Sequence, residues 1–151
     1  MTQPSVSPAQ QISTVPRDRW LRALIFGLLA EMATIITIIL VVLLHQYVFA
    51  RGLTEAESTA FGQRVGAVVG PFGGTFYVFI FARRLMPRLV SGFVAHGIVV
   101  ALAAIALSVG GSIAGHQGVP AGYMVASALK IIAGASAGYL YEKSLGRNRT
   151  V

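Results

Sequence analysis

The sequence contains no cysteine and few charged residues, and both absences limit what the protein can be. Without cysteine there can be no disulfide and no thiolate metal site. Only 11% of the residues are Asp, Glu, Lys or Arg, whereas 55% are hydrophobic, and the mean hydropathy is +0.72. A soluble domain of 151 residues does not have this composition. It indicates one membrane domain whose apolar side chains face lipid as well as one another.

The sequence also lacks the motifs of nucleotide-binding and catalytic sites. It has no glycine-rich phosphate loop, no nucleophile with a nearby base and no pair of catalytic carboxylates. We therefore expect neither an enzyme nor a cofactor. The net charge of +7 does not indicate a nucleic-acid partner, because the basic residues flank apolar segments instead of forming one basic face. The expected partners are the lipid bilayer and either further copies of this chain or another membrane protein.

Four apolar segments are long enough to cross a bilayer, whose hydrocarbon core is about 30 Å thick. The sequence therefore predicts an all-α membrane protein with four transmembrane helices. Residues 1–19 are polar and contain several prolines, which predicts a disordered cytoplasmic tail, and 144–151 form a basic cytoplasmic tail. The membrane domain, 20–143, has predicted spans at about 20–47, 62–84, 89–109 and 122–142.

The basic residues predict the orientation of the spans. One side of the membrane has nine of them and the other side has two. The nine are Arg17, Arg19, Arg22, Arg83, Arg84, Arg88, Lys143, Arg147 and Arg149, and the two are Arg51 and Arg64. By the positive-inside rule, both termini are cytoplasmic and the protein is a multi-pass protein of the cell (inner) membrane.

The second span carries a glycine at every fourth position, and these residues are Gly62, Gly66, Gly70 and Gly74. On a helix this spacing places all four on one narrow stripe, where no side chain keeps a neighbouring helix away. We therefore expect another helix to cover the stripe. On the fourth span, Gly134 and Gly138 are predicted to form a similar packing surface.

Two further signals define the second helix. Thr54, with Glu57 three residues later, has the form of a capping box, which predicts that the helix begins near Glu55, outside the membrane. Pro71 lies inside the same helix. Because proline removes one backbone hydrogen bond, a kink is predicted beside Gly70.

The two halves of the sequence resemble each other. A shift of 64 residues superimposes identical residues, among them Gly70 on Gly134, Gly74 on Gly138 and Tyr77 on Tyr141. A shift of 65 carries Glu31 onto His96. This pattern predicts two tandem hairpins of the same orientation, related by a pseudo-twofold axis along the membrane normal. The alternative is that small residues match by chance in a chain rich in glycine and alanine.

Three ionisable residues lie well inside the predicted spans, away from their ends: Glu31, His96 and Lys130. A charged residue at mid-helix costs about 2.5–3.5 kcal/mol on insertion scales, so each should face protein or water. Their predicted depths are similar, and we expect the three to meet in one cluster. In the repeat Gly66 corresponds to Lys130, which places the expected cluster beside Gly66 and Gly70.

The predicted cluster has two interpretations. In one, it handles protons or ions, with Glu31 exchanging protons while Lys130 and His96 tune its pKa. In the other, Glu31 and Lys130 neutralise each other and fix the register of the helices. One sequence leaves both open.

The run Leu29-Ala30-Glu31-Met32, followed by Thr34, resembles the first helix of the small multidrug resistance transporters. In that family a glutamate after alanine binds protons and cationic drugs in a four-helix protomer of a dimer. The resemblance covers 29–34 and carries over Glu31 alone, for which it implies proton binding. The polar N-terminal tail and the glycine stripe of the second span depart from the pattern of that family.

The functional expectation follows from these features. We expect a small non-enzymatic membrane protein of accessory, scaffold or assembly type that packs through glycine stripes. The alternative is a small proton- or cation-coupled transporter or channel that uses Glu31 with Lys130 and His96. No metal site is expected, because His45 and His116 are isolated histidines at the predicted outer interface.

Overall fold

The computed structural model describes residues 17–49, 52, 54–115 and 122–147, and four long helices make up most of them. They are α1 (Arg17–Leu44), α2 (Glu55–Leu85), α3 (Phe93–Ala114) and α4 (Gly122–Arg147). Each is long and apolar enough to cross a membrane. The prediction of an all-α protein with four candidate spans is thereby confirmed. Most of the two predicted tails lies outside the described residues.

Short elements complete the helix ends. A π-helical turn, His45–Phe49, extends α1, and a 3-10 turn, Met86–Arg88, follows α2. Gly92 has φ 69°, in the left-handed region that glycine tolerates, and this lets the chain turn into α3. At the start of α2, Glu57 N donates to Thr54 Oγ1 at 3.4 Å, and Thr54 N donates to Glu57 Oε2 at 2.9 Å. The predicted capping box and helix start are therefore confirmed.

Pro71 lies within α2 and does not end it. The hydroxyl of Thr75 donates to the Pro71 carbonyl oxygen at 2.6 Å, which gives that carbonyl an additional partner inside the helix. The kink at this position stays a prediction.

The four helices form a square bundle. Helices α1 and α4 each pack against both α2 and α3, so α1 and α4 occupy opposite corners. Ring contacts establish the directions: Trp20 near the start of α1 stacks on His96 near the start of α3, and Phe93 of α3 contacts Tyr141 near the end of α4. The start of α1 and the end of α4 therefore lie at the same end of the bundle.

This packing does not have the twofold axis predicted from the sequence repeat. An axis along the bundle would place the parallel helices α1 and α3 at opposite corners. Instead α1 and α3 are neighbours, as are α2 and α4. The hairpin α3–α4 lies beside the hairpin α1–α2, with α3 parallel to α1 and α4 parallel to α2. A sideways translation therefore relates the two hairpins better than a rotation by 180° does. The repeat in the sequence stays a prediction.

Burial divides the bundle into two halves. Toward the chain termini, every helix has buried residues, and we term this part the closed half. Its limit is marked by Thr34 on α1, Gly74 on α2, Ala104 on α3 and Lys130 on α4. Beyond that limit, Val65 is the only buried residue among those that the structure describes. We term that part the open half.

The glycines of the closed half lie at backbone contacts between helices. Gly97 of α3 and Gly134 of α4 face each other so closely that a Cβ on either would overlap the other's carbonyl oxygen. Gly138 has the same relation to Phe93, and Gly27 to Val100. These contacts bring α3 directly against α4 and α1 without intervening side chains.

Two of the four positions of the glycine stripe of α2 have no neighbouring helix close by among the described residues. A Cβ at Gly66 or Gly70 would have no heavy atom of the described residues within 4 Å, and one at Gly62 would have only Val42 Cγ2, at 3.8 Å. Gly74 lies most closely against another helix, at Lys130 of α4. Gly66 and Gly70 belong to the open half, where the described helices are less closely packed. The covering of these two positions by a helix stays a prediction.

Candidate functional site

Glu31 and Lys130 form an ion pair across the centre of the bundle. Lys130 Nζ lies 2.6 Å from Glu31 Oε2, and the two side chains are only 6% and 8% exposed for Lys130 and Glu31, respectively. Since α1 and α4 occupy opposite corners, the pair crosses the interior diagonally. The long stem of the lysine makes this reach possible.

Small residues make room for the pair. Glu31 lies one turn from Gly27 on α1, and Lys130 lies about one turn from Gly134 on α4, so each charge projects from the face that packs inward. On α2, a Cβ at Gly74 would lie 2.6 Å from Lys130 Cε. The glycine stripe of α2 therefore does accommodate the lysine, but at Gly74 and not beside Gly66 and Gly70 as expected.

Ser108 of α3 joins the two charges. Its hydroxyl donates to Glu31 Oε1 and accepts from Lys130 Nζ at 3.1 Å. Each carboxylate oxygen of Glu31 thus has one donor, and the ammonium group of Lys130 has two acceptors. Sequence reasoning missed Ser108, and its one signal was a hydroxyl near the end of the apolar run 98–109.

A line of hydroxyl groups leads from the pair into the open half. Ser112 Oγ donates to the Tyr123 hydroxyl at 3.1 Å, and that hydroxyl donates to the Ser108 carbonyl oxygen at 3.4 Å. Ser127 lies between Tyr123 and Lys130 on the same face of α4, by helical spacing. The serines and the tyrosine are all half-buried. We refer to Ser108, Ser112, Tyr123 and Ser127 as the hydroxyl line.

His96 is not part of this site. Its ring stacks on Trp20 with centroids 4.2 Å apart and planes 13° apart, and its Nδ1 donates to the Gly92 carbonyl oxygen at 2.8 Å. It precedes Ser108 by 12 residues on α3, which is about 18 Å along the axis at about 1.5 Å per residue. The predicted cluster of three is therefore wrong for His96. The reason is that α3 begins at Phe93, so His96 falls in its first turn.

The other histidines show no metal-binding arrangement. His45 stacks on Phe61 with ring centroids 3.7 Å apart, and His116 lies outside the described residues. Among the residues that the structure describes, no group of three or more His, Asp or Glu is placed to hold a metal ion.

The arrangement has a limited chemical capacity. A carboxylate that is hydrogen-bonded to an ammonium group and a hydroxyl can hold or exchange a proton. Comparison of the chain with protein-family models, with curated proteins and with solved structures finds no match. The functional argument therefore rests on the geometry of Glu31, Lys130 and Ser108.

Proposed function

We propose that this chain is a small, non-enzymatic integral membrane protein of accessory or scaffold type, whose bundle is held in register by the Glu31–Lys130 pair. The observation that carries the proposal is the mutual saturation of the pair. Ser108 and Lys130 donate to the two carboxylate oxygens of Glu31, and Lys130 also donates to Ser108. Charges that are matched in this way need no bound substrate to balance them.

The energetics of buried charges support a structural role for the pair. Removing one partner from a buried ion pair leaves an uncompensated charge and costs about 3–5 kcal/mol. A displacement of α4 by one turn moves Lys130 about 5.4 Å along the axis and separates it from Glu31. The pair therefore penalises incorrect registers of α1 and α4, which share few other contacts.

The surface of the bundle suits a bilayer. Every helix exposes large apolar side chains, and these include Leu28, Phe72, Leu102 and Met124. Together with the distribution of basic residues, this surface supports the cell (inner) membrane as the location, with both termini cytoplasmic. The uncovered positions Gly66 and Gly70 are where we place self-association or contact with a membrane-protein partner.

A double-mutant cycle tests the structural role. Glu31→Gln and Lys130→Met should each lower the free energy of unfolding by about 3–5 kcal/mol, whereas the double variant should lose less than the sum, because it leaves no unpaired charge. The free energy is measured by titrating mixed micelles with a denaturing detergent. Glu142→Gln, an exposed glutamate of α4, is the matched control and should be neutral. Strict additivity of the two single losses would refute the proposal.

The second candidate is a small proton- or cation-coupled transporter or channel that uses Glu31. One observation favours it. The pair lies at the boundary between the closed and open halves, so the bundle is closely packed on one side of the pair and less closely packed on the other. The test uses proteoliposomes with an enclosed pH dye, an imposed potassium diffusion potential and a gradient of tetraphenylphosphonium. Proton movement that Glu31→Gln abolishes in a folded protein would establish this function. If Glu31→Gln only lowers the stability of the protein and does not change proton movement, the transporter or channel function is excluded.

A further inference from the structure

We infer that the open half of the bundle contains a water-accessible path along the α3–α4 seam, which ends at the Glu31–Lys130 pair. Its ligands are water and the protons that water carries. This inference goes beyond the proposed function, because a pair that only fixes helix register requires no access to water.

The first argument is the separation of polar and apolar faces. On α3, Ser108 and Ser112 are one turn apart and half-buried, whereas their neighbours Ala106 and Ile113 are exposed. The exposed neighbours on α4 are likewise apolar, namely Met124, Val125 and Ala128. The hydroxyl line is therefore turned away from the lipid-facing surface.

The second argument is that one hydroxyl of this seam, that of Ser127, has no protein partner among the described residues. A hydroxyl left without a partner in an apolar environment costs free energy. Water in the seam supplies the missing partner, and a polar site with several hydroxyls can hold it.

The third argument is the difference in packing on the two sides of the pair. Directly below it, Val100, Ala104 and Ala137 are completely buried, and the glycine contacts of α3 with α4 leave no room for water. On the open side of the pair, none of the described residues 105–114 of α3 and 122–129 of α4 is buried. The path therefore stops at the pair and does not cross the bundle.

Access of water has a chemical consequence for Glu31. A hydronium ion that reaches Ser108 can transfer one proton to the carboxylate and leave as water. The products are a neutral Glu31 and a Lys130 ammonium group that has lost its counter-charge but keeps its hydrogen bond to Ser108. Protons therefore reach the ion pair from the open half only.

Cysteine accessibility tests the path, and the natural chain contains no cysteine that would interfere. Ser112→Cys and Ser127→Cys place a thiol in the seam, and Ala128→Cys places one on the exposed face of the same turn of α4. Ser136→Cys is a serine control in the closed half. Each variant is reconstituted in lipid nanodiscs and treated with a trimethylammonium methanethiosulfonate, which reacts with thiols in contact with water.

We expect the two seam thiols to react at least tenfold faster than both controls. All four variants should elute as the wild type does and should be labelled completely after denaturation, which shows that the thiols are intact. Equal rates at Ser127→Cys and Ala128→Cys would overturn the path. Unreactive seam thiols that crosslink between two copies would also overturn it, and would make the seam a contact between protomers. Failure of the path would leave the double-mutant cycle unaffected, so the two proposals are tested separately.

Discussion

The stem of Lys130 passes over Gly74 so closely that a Cβ at residue 74 would lie 2.6 Å from Lys130 Cε. The two residues belong to different helices, and the lysine is held in place at its other end by Glu31. The stem therefore cannot swing aside without stretching the ion pair. This relationship couples the closest contact of the α2 glycine stripe to the charge at the centre of the bundle.

The effect of Gly74→Ala on the free energy of unfolding should consequently change sign when Lys130 is removed. In the natural chain we expect it to lower the free energy of unfolding by about 1–2 kcal/mol, because the methyl group overlaps the lysine stem. In a Lys130→Ala background the same change should raise it by about 0.5–1 kcal/mol, because alanine is the better helix former. The same detergent titration measures both. A cost that persists in the second background would show that Gly74 is needed for another reason.

Replacing a glycine with alanine should have opposite effects on stability in the closed and open halves. Gly134→Ala places a methyl group on the backbone of Gly97, so we expect a loss of about 1–3 kcal/mol. Gly66→Ala, with open space around it, should gain about 0.5–1 kcal/mol in a single bundle. Thermal unfolding followed by circular dichroism compares them. If Gly66→Ala were instead destabilising and disrupted oligomers, a second protein would cover that position.

Ser108 should contribute to stability through its hydrogen bond to Glu31 and not through its own packing. Ser108→Ala removes the donor to Glu31 Oε1, and we expect a loss of about 1–3 kcal/mol. In a Glu31→Gln background the loss should be smaller, since an uncharged amide is less costly to leave without a donor. The coupling energy between Ser108 and Glu31 is obtained by unfolding the natural chain, the two single variants and the double variant in the same detergent. Equal losses in both backgrounds would show that Ser108 acts independently of the pair.

What the sequence could predict depends on how local each feature is. The four spans follow from runs of apolar residues, and the interior position of Glu31 and Lys130 follows from the cost of exposing charge to lipid. The covering of the glycine stripe could not be predicted, because it depends on how far apart the helices lie at the depth of Gly66. His96 was misplaced because the start of α3 was set about one turn too early. Ser108 carried only a weak signal, since a lone serine in an apolar helix is usually hydrogen-bonded to its own backbone.

The separation of His96 from the ion pair has a direct spectroscopic test. Trp20 is the single tryptophan of the chain, and its ring stacks on His96 at the closed end of the bundle. Replacing His96 with Ala should therefore expose the indole and shift its emission to longer wavelength. Glu31→Gln should leave the emission unchanged in the folded protein, because the pair lies about 18 Å farther along the bundle. A shift of equal size in both variants would mean that the closed end and the ion pair respond as one unit, contrary to the contacts of His96.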